Sequence, residues 1–190
     1  MTALEQYIKA CFGVTDEEMA ILYDLFVPVT IKKGDYFLKT GRQCDKLGFV
    51  QSGLLRVFTT VEGDREVTQW IAGPGYFITD LASLVLGRSS RWTIQALTDV
   101  EMYVLDKPVY DRIGERLPRW PEMERRFIVQ CFAIMEDRIF THLSMSAAER
   151  YAFFFEQHKE LFNQVPLQYI ASILGMTPET FSRIRKKQLS

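Results

Sequence analysis

The strongest constraint on this chain is where its glycines stop. Between Val29 and Asp106 glycine recurs at positions 34, 41, 48, 53, 63, 73, 75 and 87, which is eight of the 11 in the protein. Glycines so spaced cut a chain into short strands joined by turns. After Pro108 the pattern changes to apolar residues every three or four positions, interrupted only by Gly114 and Gly175. Over 190 residues this predicts an α+β fold: a β-roll or double-stranded jelly roll flanked by short helices, then a long helix, then a small helical domain.

Local signals place the pieces. Residues 3 to 12 put Leu4, Ile8 and Cys11 on one side of a helix, and Thr15 with Glu18 forms a capping box for a second helix before Pro28. Trp92, Ile94 and Ala96, then Val100, Met102 and Val104, alternate with more polar neighbours. That alternation predicts two half-buried strands, paired around a turn at Thr98 and Asp99.

From Pro121 onward Met123, Phe127, Cys131, Ile134, Met135, Ile139 and His142 recur at helical spacing among charged residues. The helix is longer than a small domain needs for its own core. Either it is buried against the β body or it is shared with a second subunit, in which case Phe127, Cys131, Ile134 and Arg138 are the candidate dimerisation residues. A second apolar stripe runs through Ile128, Phe132 and Phe140. The segment SAAE at Ser146 reads as another capping box, and two short helices follow over 166–174 and 178 to about 187.

Composition removes several function classes. Apolar residues make up 47% and charged residues 25%, as in a folded globular protein. The net charge is only -1, so a nucleic-acid site must come from local clustering. Cys11, Cys44 and Cys131 are scattered and form no CxxC pair, which speaks against zinc, iron-sulfur and disulfide frameworks. His142 and His158 both lie outside the β body, where a cupin-type metal enzyme would need them. No nucleophile elbow, P-loop or HExxH motif occurs, so the chain reads as a non-enzyme with no metal site. The N-terminus lacks the basic-then-apolar layout of a signal peptide, no run has the length of a membrane span, and a cytoplasmic location is expected.

Clustering of charge does occur near the end, in LGMTPETFSRIRKK. Ile170, Ala171 and Leu174 supply an apolar face, Gly175 permits a turn with positive φ, and Thr177 can cap a helix with Pro178 in its first turn. This is the layout of a helix-turn-helix. Glu179 and Arg183, one helical turn apart, suit cytosine N4 and guanine O6/N7 in a major groove, with Thr180 and Ser182 beside them. Arg185, Lys186 and Lys187 would meet phosphates. Basic residues at a helix C-terminus also complement the macrodipole, which is the plainer alternative.

The segment VPLQYIASILGMTPETFSRIRKK resembles the DNA-binding helix pair of the Crp/Fnr family of bacterial regulators, and Glu179-x-x-Ser182-Arg183 is similar to the element with which one branch reads a TTGA-like half-site. Residues 32 to 58 resemble the family's cyclic-nucleotide-binding β-roll, and GPGYFI at 73 to 78 resembles the start of its phosphate-binding cassette. The likeness implies a sensor domain over 1–118, a dimerisation helix over 119–144 and a helix-turn-helix domain over 145–190. It implies a homodimer bound to palindromic double-stranded DNA, with RNA polymerase as a further candidate partner. Members usually follow the recognition helix with a β-hairpin wing, whereas this chain stops at Ser190.

The cassette departs from the family pattern. Members that bind cyclic AMP use a Glu for the ribose and an Arg for the cyclic phosphate; here Asp80 and Ser90 fall at those positions, with Arg91 one residue off and so on the opposite face of a strand. A buried phosphate without a cation is costly. Phe77, Thr79, Asp80, Leu81, Ser90 and Arg91 are therefore candidates for binding a small effector other than cyclic AMP, or the cavity is filled by side chains. A ligand-binding roll whose tail no longer binds DNA is the alternative from a different class.

Overall fold

The computed structural model describes residues 2–188, without the side chain of Cys11. Helices α1 (Ala3–Phe12) and α2 (Asp16–Tyr23) lead into eight strands: β1 (Val27–Ile31), β2 (Tyr36–Leu38), β3 (Lys46–Ser52), β4 (Leu55–Val61), β5 (Arg65–Ala72), β6 (Phe77–Ile78), β7 (Thr93–Ala96) and β8 (Val100–Asp106). A short helix α3 (Leu81–Leu86) interrupts them between β6 and β7. Helices α4 (Lys107–Tyr110), α5 (Ile113–Arg116), α6 (Trp120–Ser144), α7 (Ala147–Gln157), α8 (Leu161–Gln164), α9 (Leu167–Ile173) and α10 (Pro178–Gln188) complete the chain.

The strands form two four-stranded sheets, in the orders β1-β8-β3-β6 and β2-β7-β4-β5. The alternation expected over 92–104 holds: Ile94, Ala96, Val100, Met102 and Val104 are buried, and Glu101 is exposed. The expected pairing does not hold. β7 and β8 lie in different sheets, β7 paired with β2 and β8 with β1 and β3. The corner between them is a crossover held by Asp99, whose carboxylate accepts the Lys33 backbone N–H at 2.9 Å and the Lys32 ammonium at 2.8 Å. Each strand thus keeps its apolar face inward while finding its hydrogen bonds elsewhere.

Helix starts follow their capping signals. Thr15 and Glu18 exchange bonds at 2.9 and 3.2 Å, Ser146 and Glu149 at 2.8 and 3.4 Å, and Thr2 with Glu5 forms a third box. Each box satisfies amides that a helix N-terminus leaves without intrahelical partners.

The chain divides into two compact units. The first, Met1–Val57 with Ile71–Cys131, centres on Leu4, Ile8, Phe12, Leu47, Phe49, Leu105, Ile113, Met123 and Phe127. Phe127 stacks on Phe12 at 5.4 Å and meets the edge of Phe77 at 5.4 Å, while Trp120 stacks on Phe12 at 5.8 Å. The second unit joins Phe58–Trp70, the tip of the β4–β5 hairpin, to Phe132–Ser190. Its centre is aromatic too: Tyr151 and Phe162 pack on Phe181 at 5.4 and 6.2 Å. The division therefore falls inside α6, and the hairpin tip goes with the helical tail. The cause is visible in the contacts: Thr68 N–H donates to Ser172 Oγ at 2.8 Å, and the Arg138 guanidinium donates to the Gln69 carbonyl at 2.7 Å.

Two glycines separate backbone strain from crowding. Gly53 and Gly34 both have positive φ, +86° and +90°. A Cβ on Gly53 would lie 2.2 Å from the Asp99 carbonyl, whereas one on Gly34 would meet nothing within 4 Å. Gly34→Ala is expected to cost about 1 kcal/mol from the left-handed backbone alone, and Gly53→Ala about 2 to 4 kcal/mol because overpacking adds to it. Urea unfolding of both variants checks this, and equal losses would contradict the packing at the β7–β8 corner.

Candidate functional site

The cassette is built on the segment from β6 to β7. Asp80 caps α3, accepting from Ser83 N–H at 3.2 Å, and its other carboxylate oxygen accepts from the Ser90 hydroxyl at 2.7 Å. Ser90 Oγ also accepts the Trp92 N–H at 2.9 Å. Ser83 Oγ donates to the Arg88 carbonyl at 2.6 Å and accepts the Cys44 N–H at 2.7 Å. Thr79 Oγ1 donates to the Lys46 carbonyl at 2.9 Å. Backbone bonds at 2.8 Å join Gly41 to Ser90 and Ser90 to Arg42. Asp80 and Ser90, the two residues that the sequence resemblance set at the ribose and phosphate positions, are thus bonded to each other.

The sequence-derived effector residues divide into three groups. Thr79, Asp80 and Ser90 come together in this network. Phe77 and Leu81 pack against the core of the first unit, Phe77 touching Tyr7, Phe49 and Phe127, so they serve packing. Arg91 is exposed while Ser90 is 3% exposed, but both lie in the loop before β7 (Thr93–Ala96), so the strand expected to separate them onto opposite faces is not formed there. The roll interior nearby is occupied: a Cβ on Gly48 would fall 2.1 Å from Met102 Cε and 3.1 Å from Ile78 Cγ2. Away from the cassette, a shallow groove of 270 Å³ is lined by Leu25, Pro108, Val109, Ile113 and the charged rim of Arg112, Glu115 and Arg116.

On α6 the candidate dimerisation residues mostly face inward. Phe127 is 5% exposed in the core, and Cys131 packs against that core. Arg138 is half-buried, stacked 4.8 Å over the Trp70 ring; burial lowers its pKa from the ordinary arginine value. Of the four, only Ile134 is exposed. The open face instead carries Ile128, Phe132, Met135, Ile139, Phe140 and Leu143, with Phe132 at 66%, Phe140 at 68% and Leu143 at 82% exposure. Ile128, Phe132, Met135 and Ile139 step by four, three and four residues, which is the spacing of a coiled-coil seam. Core packing has claimed Met123, Phe127 and Cys131 of the first stripe, whereas its later members Ile134, Met135 and Ile139 are exposed.

At the C-terminal helices, Phe181 is buried and anchors α10, leaving Glu179, Ser182, Arg183, Lys186 and Lys187 on the exposed side. Thr177 is exposed at the helix start, where its Oγ1 accepts the Thr180 N–H at 3.3 Å and bonds the Thr180 hydroxyl at 3.2 Å. Thr180 and Arg185 are half-buried, and Arg185 lies close enough to Tyr151 for its charge to act on that phenol. The Glu179 carboxyl is held below its ordinary pKa first by its own backbone N–H at the helix start, then by the Thr177 hydroxyl, with a smaller pull from Arg183. It is therefore ionised at neutral pH, an acceptor one turn from a guanidinium.

Residues that composition and spacing did not single out hold this part together. Arg150 donates from Nε to the Leu174 carbonyl at 3.0 Å and from Nη1 to the Met145 carbonyl at 2.8 Å. Gly175 has φ +67°, and a Cβ there would sit 3.6 Å from the His142 ring. The only sequence sign of Arg150 is a charged residue following the SAAE capping box, which is too common to be informative. Among the described residues no His, Cys, Asp and Glu side chains gather in a group that could hold a metal ion, and no helix is long and apolar enough to cross a membrane.

A family model described as the cyclic nucleotide-binding domain matches residues 28–116. No curated protein matches the chain. Several solved structures share its fold. A regulator of the Crp/Fnr family from Eubacterium rectale is 18% identical with a TM-score of 0.70, covering 97% of this chain and 88% of that one. FixK2 from Bradyrhizobium japonicum is 17% identical at 0.69, covering 85% and 83%. The catabolite activator protein of Thermus thermophilus is 22% identical at 0.59, covering 95% and 85%. Residues 28–116 thus match the cyclic nucleotide-binding domain, within a mixed helix-and-sheet fold similar to that of solved Crp/Fnr regulators.

Proposed function

We propose that this chain is a DNA-binding transcriptional regulator of the Crp/Fnr type, working as a homodimer in the cytoplasm and controlled by a small effector other than cyclic AMP. The observation that carries the reading is the outward face of α10. Glu179, Ser182, Arg183 and Lys186 are exposed together on a helix whose opposite side is anchored by Phe181. In this reading α9 and α10 are a helix-turn-helix, Glu179 and Arg183 read a TTGA-like half-site, and Thr177, Thr180, Ser182, Lys186 and Lys187 bind nearby bases and phosphates. Arg185 reaches a phosphate from its half-buried position beside Tyr151. The functional segments remain 1–118 for sensing, 119–144 for dimerisation and 145–190 for DNA, and RNA polymerase is a partner on the same grounds of family likeness.

Electrophoretic mobility shifts with a TTGA-containing palindrome test the reading. Binding should weaken steeply between ~50 and ~200 mM salt, as phosphate neutralisation requires. Arg183→Ala should lose about 1 to 3 kcal/mol on the preferred site and little on unrelated duplex. Absence of salt-dependent binding to any duplex would leave the ligand-binding module as the surviving account.

Two copies would join along the exposed stripe of α6. Phe132→Glu combined with Leu143→Glu should convert a dimer to a folded monomer in sedimentation equilibrium, because both side chains stand in solvent in the single chain. Phe127→Glu should instead unfold the first unit, since it places a charge among Phe12, Phe77 and Met123.

The effector assignment rests on the Asp80–Ser90 bond. A cyclic phosphate entering there would meet a carboxylate already satisfied by Ser90 and no cation of the network, so charge repulsion adds to the cost of breaking the bond. Calorimetric titration with cyclic AMP is expected to give a Kd weaker than about 1 mM. Saturable micromolar binding would overturn this part of the proposal while leaving the DNA reading intact.

A further inference from the structure

We infer that Arg150 is the positioning residue that sets the direction of α10 against the end of α6, and through it the half-site spacing that the protein accepts; the second clause rests on the DNA-binding reading above. Arg150 lies in the first turn of α7, right after the Ser146–Glu149 capping box, so its backbone is fixed beside the last turn of α6. From there its guanidinium reaches two helix ends at once. Nε donates to the Leu174 carbonyl at the C-terminus of α9, at 3.0 Å. Nη1 donates to the Met145 carbonyl just past α6 at 2.8 Å, and lies 3.5 Å from the His142 carbonyl within it.

Carbonyls at helix C-termini have no intrahelical partner and carry the negative end of the helix dipole, so one cation shared between two such ends draws them together. The planar fork also restricts the angle between them, which a lysine ammonium cannot do. Leu174 is followed directly by Gly175, on which a Cβ would lie 3.6 Å from the His142 ring, and Met176 N–H returns to the Ala171 carbonyl at 2.9 Å. No slack residue separates the pinned carbonyl from the start of α10 at Pro178 beyond this turn. The heading of α10 therefore follows from where Arg150 holds Leu174.

In a dimer joined along α6, that heading determines the distance between two α10 helices, and half-site spacing mirrors that distance. Arg150→Lys keeps the charge and removes the fork, and Arg150→Gln removes both. Two measurements separate positioning from general stability. In competition binding, the wild type is expected to discriminate by about tenfold or more between its preferred palindrome and ones with the half-sites moved one base pair closer or further, and Arg150→Lys by less than about threefold. Affinity for non-specific duplex should be unchanged. Separately, residual dipolar couplings of α6 and α10 amides should fit one alignment tensor in the wild type and require two in Arg150→Lys, with the thermal transition of each variant as the folding control.

A variant with the wild-type spacing profile and a single tensor overturns the inference. A wild type that binds no duplex overturns the DNA reading and the spacing claim with it, and the dipolar couplings then still decide whether Arg150 holds α10.

Discussion

Everything in the first unit depends on the burial of one face of α6. Trp120, Met123 and Phe127 put their side chains among Phe12, Phe77 and the strand residues Leu47 and Phe49. A helix has only one rotation about its axis, so fixing Phe127 inward also decides what points outward further along. Each such side chain contributes about 1.5 to 3 kcal/mol by leaving water, enough for three together to outweigh any preference of the remaining stripe for the core. Ile128, Phe132, Met135, Ile139 and Leu143 are left exposed as a consequence. On the single chain this leaves a run of large apolar side chains in solvent along a charged helix.

The cassette illustrates a different balance. A half-buried carboxylate next to a buried hydroxyl is stable because Asp80 has two donors, Ser83 N–H and Ser90 Oγ, and no buried side-chain polar atom among the described residues lacks a partner. In this fold the segment between β6 and β7 is held by hydrogen bonds among its own side chains and backbone. Fold and ligand are separable, since the roll is carried by apolar alternation and glycine turns, whereas the ligand is carried by a few polar side chains.

Much of this was legible beforehand. Capping boxes at Thr15 and Ser146, the alternation over 92–104, the α6 pattern and the exposed Glu179–Arg183 face all follow from signals spanning a few residues. Four features were not. α3 is a six-residue helix whose start is announced only by Asp80, and β7 and β8, adjacent in sequence with a good turn between them, pair in different sheets. Phe127 and Ile134 share one stripe of α6, yet the first is buried and the second exposed, so periodicity alone could not say how far along the helix the core would reach. Cys131 and Arg138 went with Phe127 for the same reason, and Arg150 was invisible because its partners are backbone carbonyls as far as 24 residues away.

By itself, then, the amino-acid order determined the type of each main element, where most of them start and stop, and which side chains α10 offers to solvent. These depend on backbone preferences, capping and periodicity, all of which act within one or two turns of chain. Only the tertiary structure decided which strands pair, which stripe of α6 is buried, that Asp80 and Ser90 close on each other, and that Arg150 ties α9 to the end of α6. Those outcomes are competitions between partners distant in sequence, settled by shape and by the cost of leaving buried polar groups unsatisfied, and no local pattern encodes their result.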